Sequence, residues 1–405
     1  MLIRKGHKQK LKTRMKEFSA LARIAGSNRF VWNYFLAKNL YYLNNGMRIM
    51  SYVEMNWFLT YFLKKSEEYK FLNDIPSQTL QQTLKNQERA FKDWFDKSQP
   101  NKKRPRFKKK QNCKDNGFKF PQGFKVDGNK VFLPKIGWIR FFKSLDIKGT
   151  MKNLSVSKDC DGWYFSIQTE HEELILPRKD NSSVGVDWGV KNLASLSDGT
   201  FFAPNNSLEE YARKLKLAQR ALCRKKKGSK NAQKVKNRIA RIHKKISDCR
   251  CDHIHKVTST ICKNHTLIVI EELKVSNMTK SAKGDLENPG KNVKAKSGLN
   301  KAILNQAPFE FKRQLEYKSL WSNSKLVCVD PKYSSQTCSS CGHKSKDNRQ
   351  TQEKFVCVDC GFADNADLNA AVNLLNRGRA ALGSPTDINA NVSLHGGKSP
   401  ARALH

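Results

Sequence analysis

Residues 337–373 constrain the fold of this chain more than any other stretch. They read TCSSCGHKSKDNRQTQEKFVCVDCGFADNADLNAAVN. Cys338 and Cys341 form one C-x-x-C, Cys357 and Cys360 a second, and fifteen residues lie between the pairs. A C-x-x-C knuckle turns two thiolates toward one point. Two knuckles at this separation supply the four sulfurs of a tetrahedral Zn²⁺ site, the zinc-ribbon pattern, rather than four unrelated buried thiols. Gly342 and Gly361 each follow a knuckle, where the turn favours a residue tolerant of positive φ. Six residues separate Cys360 from Asp367, which opens a small-residue helix. The ribbon therefore hands the chain directly to a carboxylate.

Charge sets the class of partner. The 405 residues carry 76 Lys and Arg against 36 Asp and Glu, a formal charge of +40. Self-repulsion on that scale disfavours a compact fold unless a polyanion neutralises it, and nucleic acid is the natural one. An acidic membrane surface is the runner-up, but no apolar run is long enough to span a bilayer. The length accommodates two or three domains. The first residues lack the apolar core of a secretion signal, and seven of the 11 Cys remain outside the ribbon without a second paired spacing. That odd remainder points to a reducing cytoplasm and not to disulfides.

Residues 1–15 read as a short basic strand or arm. From 18 to about 95 the pattern is helical, with a start at Pro76-Ser77. Residues 101–110, NKKRPRFKKK, hold seven basic residues. They form a solvated loop or a phosphate-binding strip through Lys102, Lys103, Arg104 and Arg106. Residues 117–170 alternate apolar and polar, with turns at Asp127-Gly128 and Asp161-Gly162. They predict a small antiparallel barrel or sheet, to which residues 2–11 add a strand, and a polar linker follows over 177–183. The stretch 184–202 predicts a three-strand meander with Asp187 at the end of its first strand. Residues 213–245 carry fifteen basic and no acidic residues. With apolar stripes broken at Gly228-Ser229, they predict a cationic helical hairpin, including Lys225, Lys226, Arg238 and Arg241, suited to phosphate backbones. A separate helix over 253–264 leads to a strand at 267–270, buried on both faces and ending in Glu271-Glu272. Residues 276–298 read as a mobile loop or lid, 299–321 as one helix, and 325–330 as a strand. A disordered tail begins near 376.

Asp187, Glu271 and Asp367 thus sit at two strand ends and a helix start, rigid places from which carboxylates can converge on two metal ions. Three separate capping or surface acids would be the bland alternative.

GVDWGVKNLA, IVIEELKV, YSSQTCSSCG and ADLNAAVNLL resemble the signatures of TnpB, the transposon-associated RNA-guided DNA endonuclease family related to type V CRISPR effectors. RFVWNYFLA and RPRFKKK resemble its N-terminal half. The resemblance implies an α/β plus all-β chain. In it an RNase H-like (RuvC) nuclease domain, 181–333 and 361–376, is interrupted by a zinc ribbon at 334–360. Ahead of it would lie a wedge β-barrel, 1–15 and 111–180, carrying a helical recognition insertion at 16–110, with residues 377–405 a disordered tail. The resemblance further implies catalytic acids at Asp187, Glu271 and Asp367 rather than at Glu272 or Asp364. Structural Zn²⁺, catalytic Mg²⁺ or Mn²⁺, a guide RNA from the transposon end, a double-stranded DNA target and a prokaryotic, nucleoid-associated setting complete it. A non-cutting RNA-guided repressor and a DNA transposase are the competing functions.

Overall fold

The computed structural model describes residues 2–112, 115–173, 182–285 and 287–383. The chain divides into two compact units, Met1–Glu173 and Leu174–Arg402. The expected linker at 177–183 falls mostly outside the described residues, as does the tail from 384 onward. No described helix is long and apolar enough to cross a membrane.

In the first unit, strand β1 (Leu2–Lys12) is followed by helices α1 (Met15–Asn44), α2 (Tyr52–Phe58) and α3 (Ser77–Phe95). Strands β2 (Gly117–Phe120), β3 (Lys125–Asp127), β4 (Lys130–Leu133), β5 (Gly137–Phe142), β6 (Thr150–Asp159) and β7 (Gly162–Glu172) then complete a seven-stranded sheet in the order β2-β6-β7-β1-β5-β4-β3. β1 pairs antiparallel with both β5 and β7. The first strand in sequence is thus central in space, and the helices are an insertion after it. The turns at Gly128 and Gly162 close the β3–β4 and β6–β7 hairpins. The sheet is open: β2 and β3 are its edges. Alternate residues such as Val131, Ile139, Phe141, Trp163, Phe165 and Ile167 enter one core with Leu21, Ile24, Phe35, Leu80 and Leu84 of the helices, as period-2 and period-3.6 patterns require.

The basic strip does not float free. Trp32 Nε1 donates to the Arg106 carbonyl, and Asn33 exchanges two hydrogen bonds with the backbone of Lys108. The Lys108 ammonium lies 4.1 Å from the centre of the Trp32 ring, and burial pushes its pKa down to about 8.

The second unit is built on a five-stranded mixed sheet, order β10-β9-β8-β11-β12. Its strands are β8 (Ser183–Trp188), β9 (Ala194–Leu196), β10 (Phe201–Phe202), β11 (Leu267–Glu271) and β12 (Lys325–Val329). The meander β8-β9-β10 is antiparallel, while β11 runs parallel to both β8 and β12. Helices α4 (Ser207–Cys223) and α5 (Lys230–Asn264) connect β10 to β11. Helices α6 (Val275–Met278), α7 (Val293–Asn305) and α8 (Pro308–Trp321) connect β11 to β12. Strands β13 (Lys354–Val356) and β14 (Ala363–Asn365) form the ribbon hairpin, and α9 (Ala366–Ala381) ends the described fold. β11 explains its four-residue apolar run. Ile268 and Ile270 pack with Ile254, Ile261, Phe311 and Leu315 of α5 and α8, while Leu267 and Val269 pack with Leu374 and Leu375 of α9 on the other face.

Four expectations need correction. The helix at 253–264 is the C-terminal part of the single 35-residue α5. Nothing between 246 and 253 breaks the helix, and Lys244–Asp248 and Asp252–Lys256 form i,i+4 pairs along it. Residues 276–298 are not loop throughout, since α6 ends at Met278 and α7 begins at Val293. Lys296 Nζ donates to the Met278 carbonyl, Asn300 Nδ2 to that of Thr279, and Gly284 bridges Pro289. The helix over 299–321 is two helices, because Pro308 cannot accept a continuing turn and Ala307 takes a left-handed φ of 46°. The last helix runs past 376 to Ala381, held by Gly378 against Val269.

Candidate functional site: a carboxylate centre against a tetrathiolate ribbon

Parallel pairing of β8 with β11 puts Val186 beside Ile270, so Asp187 and Glu271 follow at the same end of adjacent strands. Asp367 arrives from α9. Asn365 caps that helix: its side-chain oxygen accepts from the N–H groups of Asp367 and Leu368 at 2.9 and 3.3 Å. α9 reaches β8 closely because residue 185 is glycine. A Cβ there would stand 2.0 Å from the Ala371 carbonyl oxygen.

The resulting electrostatics are only partly compensated. Burial pushes the Asp187 carboxyl well above the usual range, and the charges of Glu271 and Asp367 push it further; Arg349 alone opposes them. Asp187 itself is half-buried by surface area. Burial raises Glu271 to about 7 against a hydrogen bond from the Trp188 backbone N–H. The three acids do not close into a tight knot: the only described groups of ligand atoms within 4.8 Å of one another are the four cysteines and Asp159-Cys160-Asp161. Asp161 is already engaged by Lys10 and Tyr164.

The two competing acids point elsewhere. Glu272 is exposed and accepts a hydrogen bond from Lys312 Nζ at 2.9 Å, which lowers its pKa. Asp364 lies within the β13–β14 hairpin opposite Phe355 and accepts from the Asn365 N–H at 2.7 Å.

In the ribbon, Cys338 Sγ lies 3.7 Å from Cys360 Sγ and Cys341 Sγ 3.6 Å from Cys357 Sγ. A tetrahedron with metal–sulfur bonds of about 2.3 Å has edges of roughly 3.8 Å, so the four sulfurs fit one metal ion. Gly342 and Gly361 take φ of 80° and 72° after their knuckles. Buried Asn348 ties the knuckles together, donating to the carbonyls of Gln336 and His343 and accepting from the Val358 N–H.

Sequence reasoning missed three features. Asn369 and Asn373, one turn apart on α9, bind the first knuckle: Asn369 accepts from Ser339 N–H and donates to the Thr337 carbonyl, and Asn373 donates to the carbonyls of Ser334 and Thr337. Two Asn at i,i+4 on the otherwise apolar stretch 368–375 were the available signal. Arg349, from the ribbon, reaches Asp367 at 3.5 Å; nothing in its local sequence distinguishes it. Gly185 was visible only as a strand glycine.

The candidate phosphate contacts divide. Lys102 is paired with Asp93 at 2.6 Å and Arg106 with Asp115 at 3.4 Å. Lys103 and Arg104 are exposed, the latter near the Trp94 ring. Lys225, Lys226, Arg238 and Arg241 are exposed on the α4–α5 hairpin and make no ion pair among the described residues.

Fold and site together define a mixed α/β protein in which a tetrathiolate ribbon delivers one acid of a three-carboxylate centre. Residues 166–282 match the family model OrfB_IS605, described as "Probable transposase", and residues 309–374 match "Cas12f1-like, TNB domain". The chain is 46% identical over 365 residues to "Putative RNA-guided DNA endonuclease InsQ" of Escherichia coli (strain K12), covering 89% of each chain. It is 32% identical over 372 residues to "Putative RNA-guided DNA endonuclease" of Streptomyces pristinaespiralis, covering 90% of this chain and 87% of that protein. The solved "mini-RNA-guided endonuclease CRISPR-Cas_phi3" superposes over 95% of this chain and 93% of its own with a TM-score of 0.48 and 13% identity. The chain belongs to the TnpB family.

Proposed function

We propose that this protein is the RNA-guided DNA endonuclease of a transposon, hydrolysing DNA phosphodiester bonds at Asp187, Glu271 and Asp367 on a RuvC-type, RNase H-like sheet. The relatives' names supply the reaction class. The observation that carries the assignment of residues is the parallel pairing that sets Asp187 and Glu271 at the same end of adjacent strands, with Asp367 at the capped start of α9 and its charge acting on Asp187. Oxygen donors from rigid elements suit Mg²⁺, with Mn²⁺ the alternative. Bound there, divalent metal supplies an activated water and charge stabilisation at the leaving oxygen.

The chain's own residues do the positioning. The ends of β8 and β11 fix Asp187 and Glu271, the Trp188 N–H orients the Glu271 carboxylate, and Arg349 steadies Asp367. Four thiolates at Cys338, Cys341, Cys357 and Cys360 leave no open position, so the ribbon would hold Zn²⁺ structurally. Guide RNA and target DNA would be held by phosphate contacts to cations without an ion pair among the described residues: Lys103 and Arg104 on the strip, and Lys225, Lys226, Arg238 and Arg241 on the arm. Pairing with the guide would then read sequence.

The test is cleavage of a guide-matched duplex by the parent and by Asp187→Ala, Glu271→Ala and Asp367→Ala. Each substitution should abolish cutting and spare guide-RNA binding. Full cutting by Asp367→Ala with loss in Asp364→Ala would show the third acid to be wrongly assigned.

A further inference from the structure

Beside the acid centre a cleft of about 300 Å³ opens between the ends of β8 and β11 and the start of α8. Val186, Ile270 and Phe311 supply apolar surface, Glu271 links it to the carboxylates, and Phe309 stands at its edge. Phe309 is 73% exposed, whereas its neighbour Phe311, 3% exposed, already fills the core position on this turn. The Phe309 ring stacks on no other ring among the described residues. Its place is rigid, because Pro308 and the left-handed Ala307 fix where α8 begins. An exposed aromatic on a fixed helix start, not needed for packing, is a surface waiting for a flat partner.

The charges around the cleft say which part of a nucleotide that partner is. The cations that line it are already committed, Lys312 to Glu272 and Arg313 to Glu310. Glu271 and Glu316 also line it. A phosphate would meet acids and no free cation. A neutral, planar, largely apolar group would meet a matching floor and a ring to stack on. Trp188 also lines the cleft, and its indole N–H is buried without an acceptor, so a base carbonyl could satisfy a donor the protein leaves unpaired.

We propose that this cleft is a nucleobase subsite: one unstacked base next to the scissile phosphate lies in it against Phe309, while its phosphate faces the acids. A base inside a duplex has both faces covered, so only an unpaired nucleotide can enter. The subsite deepens the endonuclease reading and rests on it for the identity of the substrate. Phe309 acts on binding, touching substrate without taking part in bond cleavage.

Two measurements test this on the full chain with its guide RNA. In the first, DNA targets carry a single abasic residue at successive positions around the mapped cut. One position should raise KM for the parent by roughly 5- to 150-fold, the worth of one stacked base, with kcat nearly unchanged. Phe309→Ala should show the same rise on intact DNA and no further rise on that abasic target, and Phe309→Trp should restore the parent KM. In the second, 2-aminopurine replaces the same base. Its fluorescence should be quenched in the complex with the parent and recover with Phe309→Ala, whether or not DNA is cut. Normal cutting by Phe309→Ala at the parent KM, with unchanged fluorescence, overturns the subsite and leaves the nuclease reading standing. Phe309-dependent quenching without any cleavage by the parent overturns the nuclease reading and leaves the subsite.

Discussion

Replacing Gly185 by alanine tests the link between packing and chemistry. The added methyl would stand 2.0 Å from the Ala371 carbonyl oxygen, 2.9 Å from the Leu375 nitrogen and 3.0 Å from the Ala371 carbonyl carbon. These are backbone atoms of α9, so no side chain can swing aside, and relief requires the helix to move off β8. Overpacking of this kind costs about 1–3 kcal/mol. For a unit of this size that lowers Tm by roughly 2–12 °C. The same movement carries Asp367 away from Asp187, and misplacing a reacting group by about 1 Å costs on the order of a hundredfold in rate. Gly298→Ala is the matched control. It sits within α7 with nothing within 4 Å of its added methyl, so it should stabilise by about 0.5–1 kcal/mol and leave cutting untouched. The assays are thermal unfolding and cleavage of a guide-matched duplex. A Gly185→Ala protein that melts and cuts like the parent would refute the reasoning, because α9 would not then be held by its close approach to β8.

Three further outcomes follow from the same geometry. Cys357→Ser should lose its bound zinc by metal analysis and lose cleavage while keeping at least part of its guide-RNA affinity; a zinc-free protein cutting at the parent rate would break the link from ribbon through Asn369 and Asn373 to Asp367. Asn365→Ala removes both capping hydrogen bonds at the start of α9 and should cost about 0.5–2 kcal/mol together with activity, whereas Asn365→Asp should retain both; parent behaviour in the alanine protein would show that the cap does not place Asp367. Charge reversal at Lys225, Lys226, Arg238 and Arg241 should weaken nucleic-acid binding irrespective of sequence and flatten its dependence on log salt by about 0.9 for each duplex phosphate that is no longer neutralised; an unchanged slope would make the arm merely solvated.

Much of this protein can be read from its sequence. Two C-x-x-C pairs at ribbon spacing have few other uses, so the cluster of Cys338, Cys341, Cys357 and Cys360 was legible from local pattern alone. Four consecutive apolar residues at 267–270 marked a strand covered on both sides, and fifteen basic residues without an acid marked an exposed arm. These are short-range signals, written in spacing and periodicity. What the tertiary structure decided depends on contacts between distant segments. It tied α6 to α7 across the 276–298 stretch through Lys296 and Asn300. It set the charge of Asp367 near enough to Asp187 to act on it. It brought Arg349 to Asp367 across the ribbon, and left Phe309 bare beside the acids. A sequence records which residues are present and how often they recur. Whether a given charge or ring is already partnered is set by chain segments tens to hundreds of residues away, and only the packed fold fixes that.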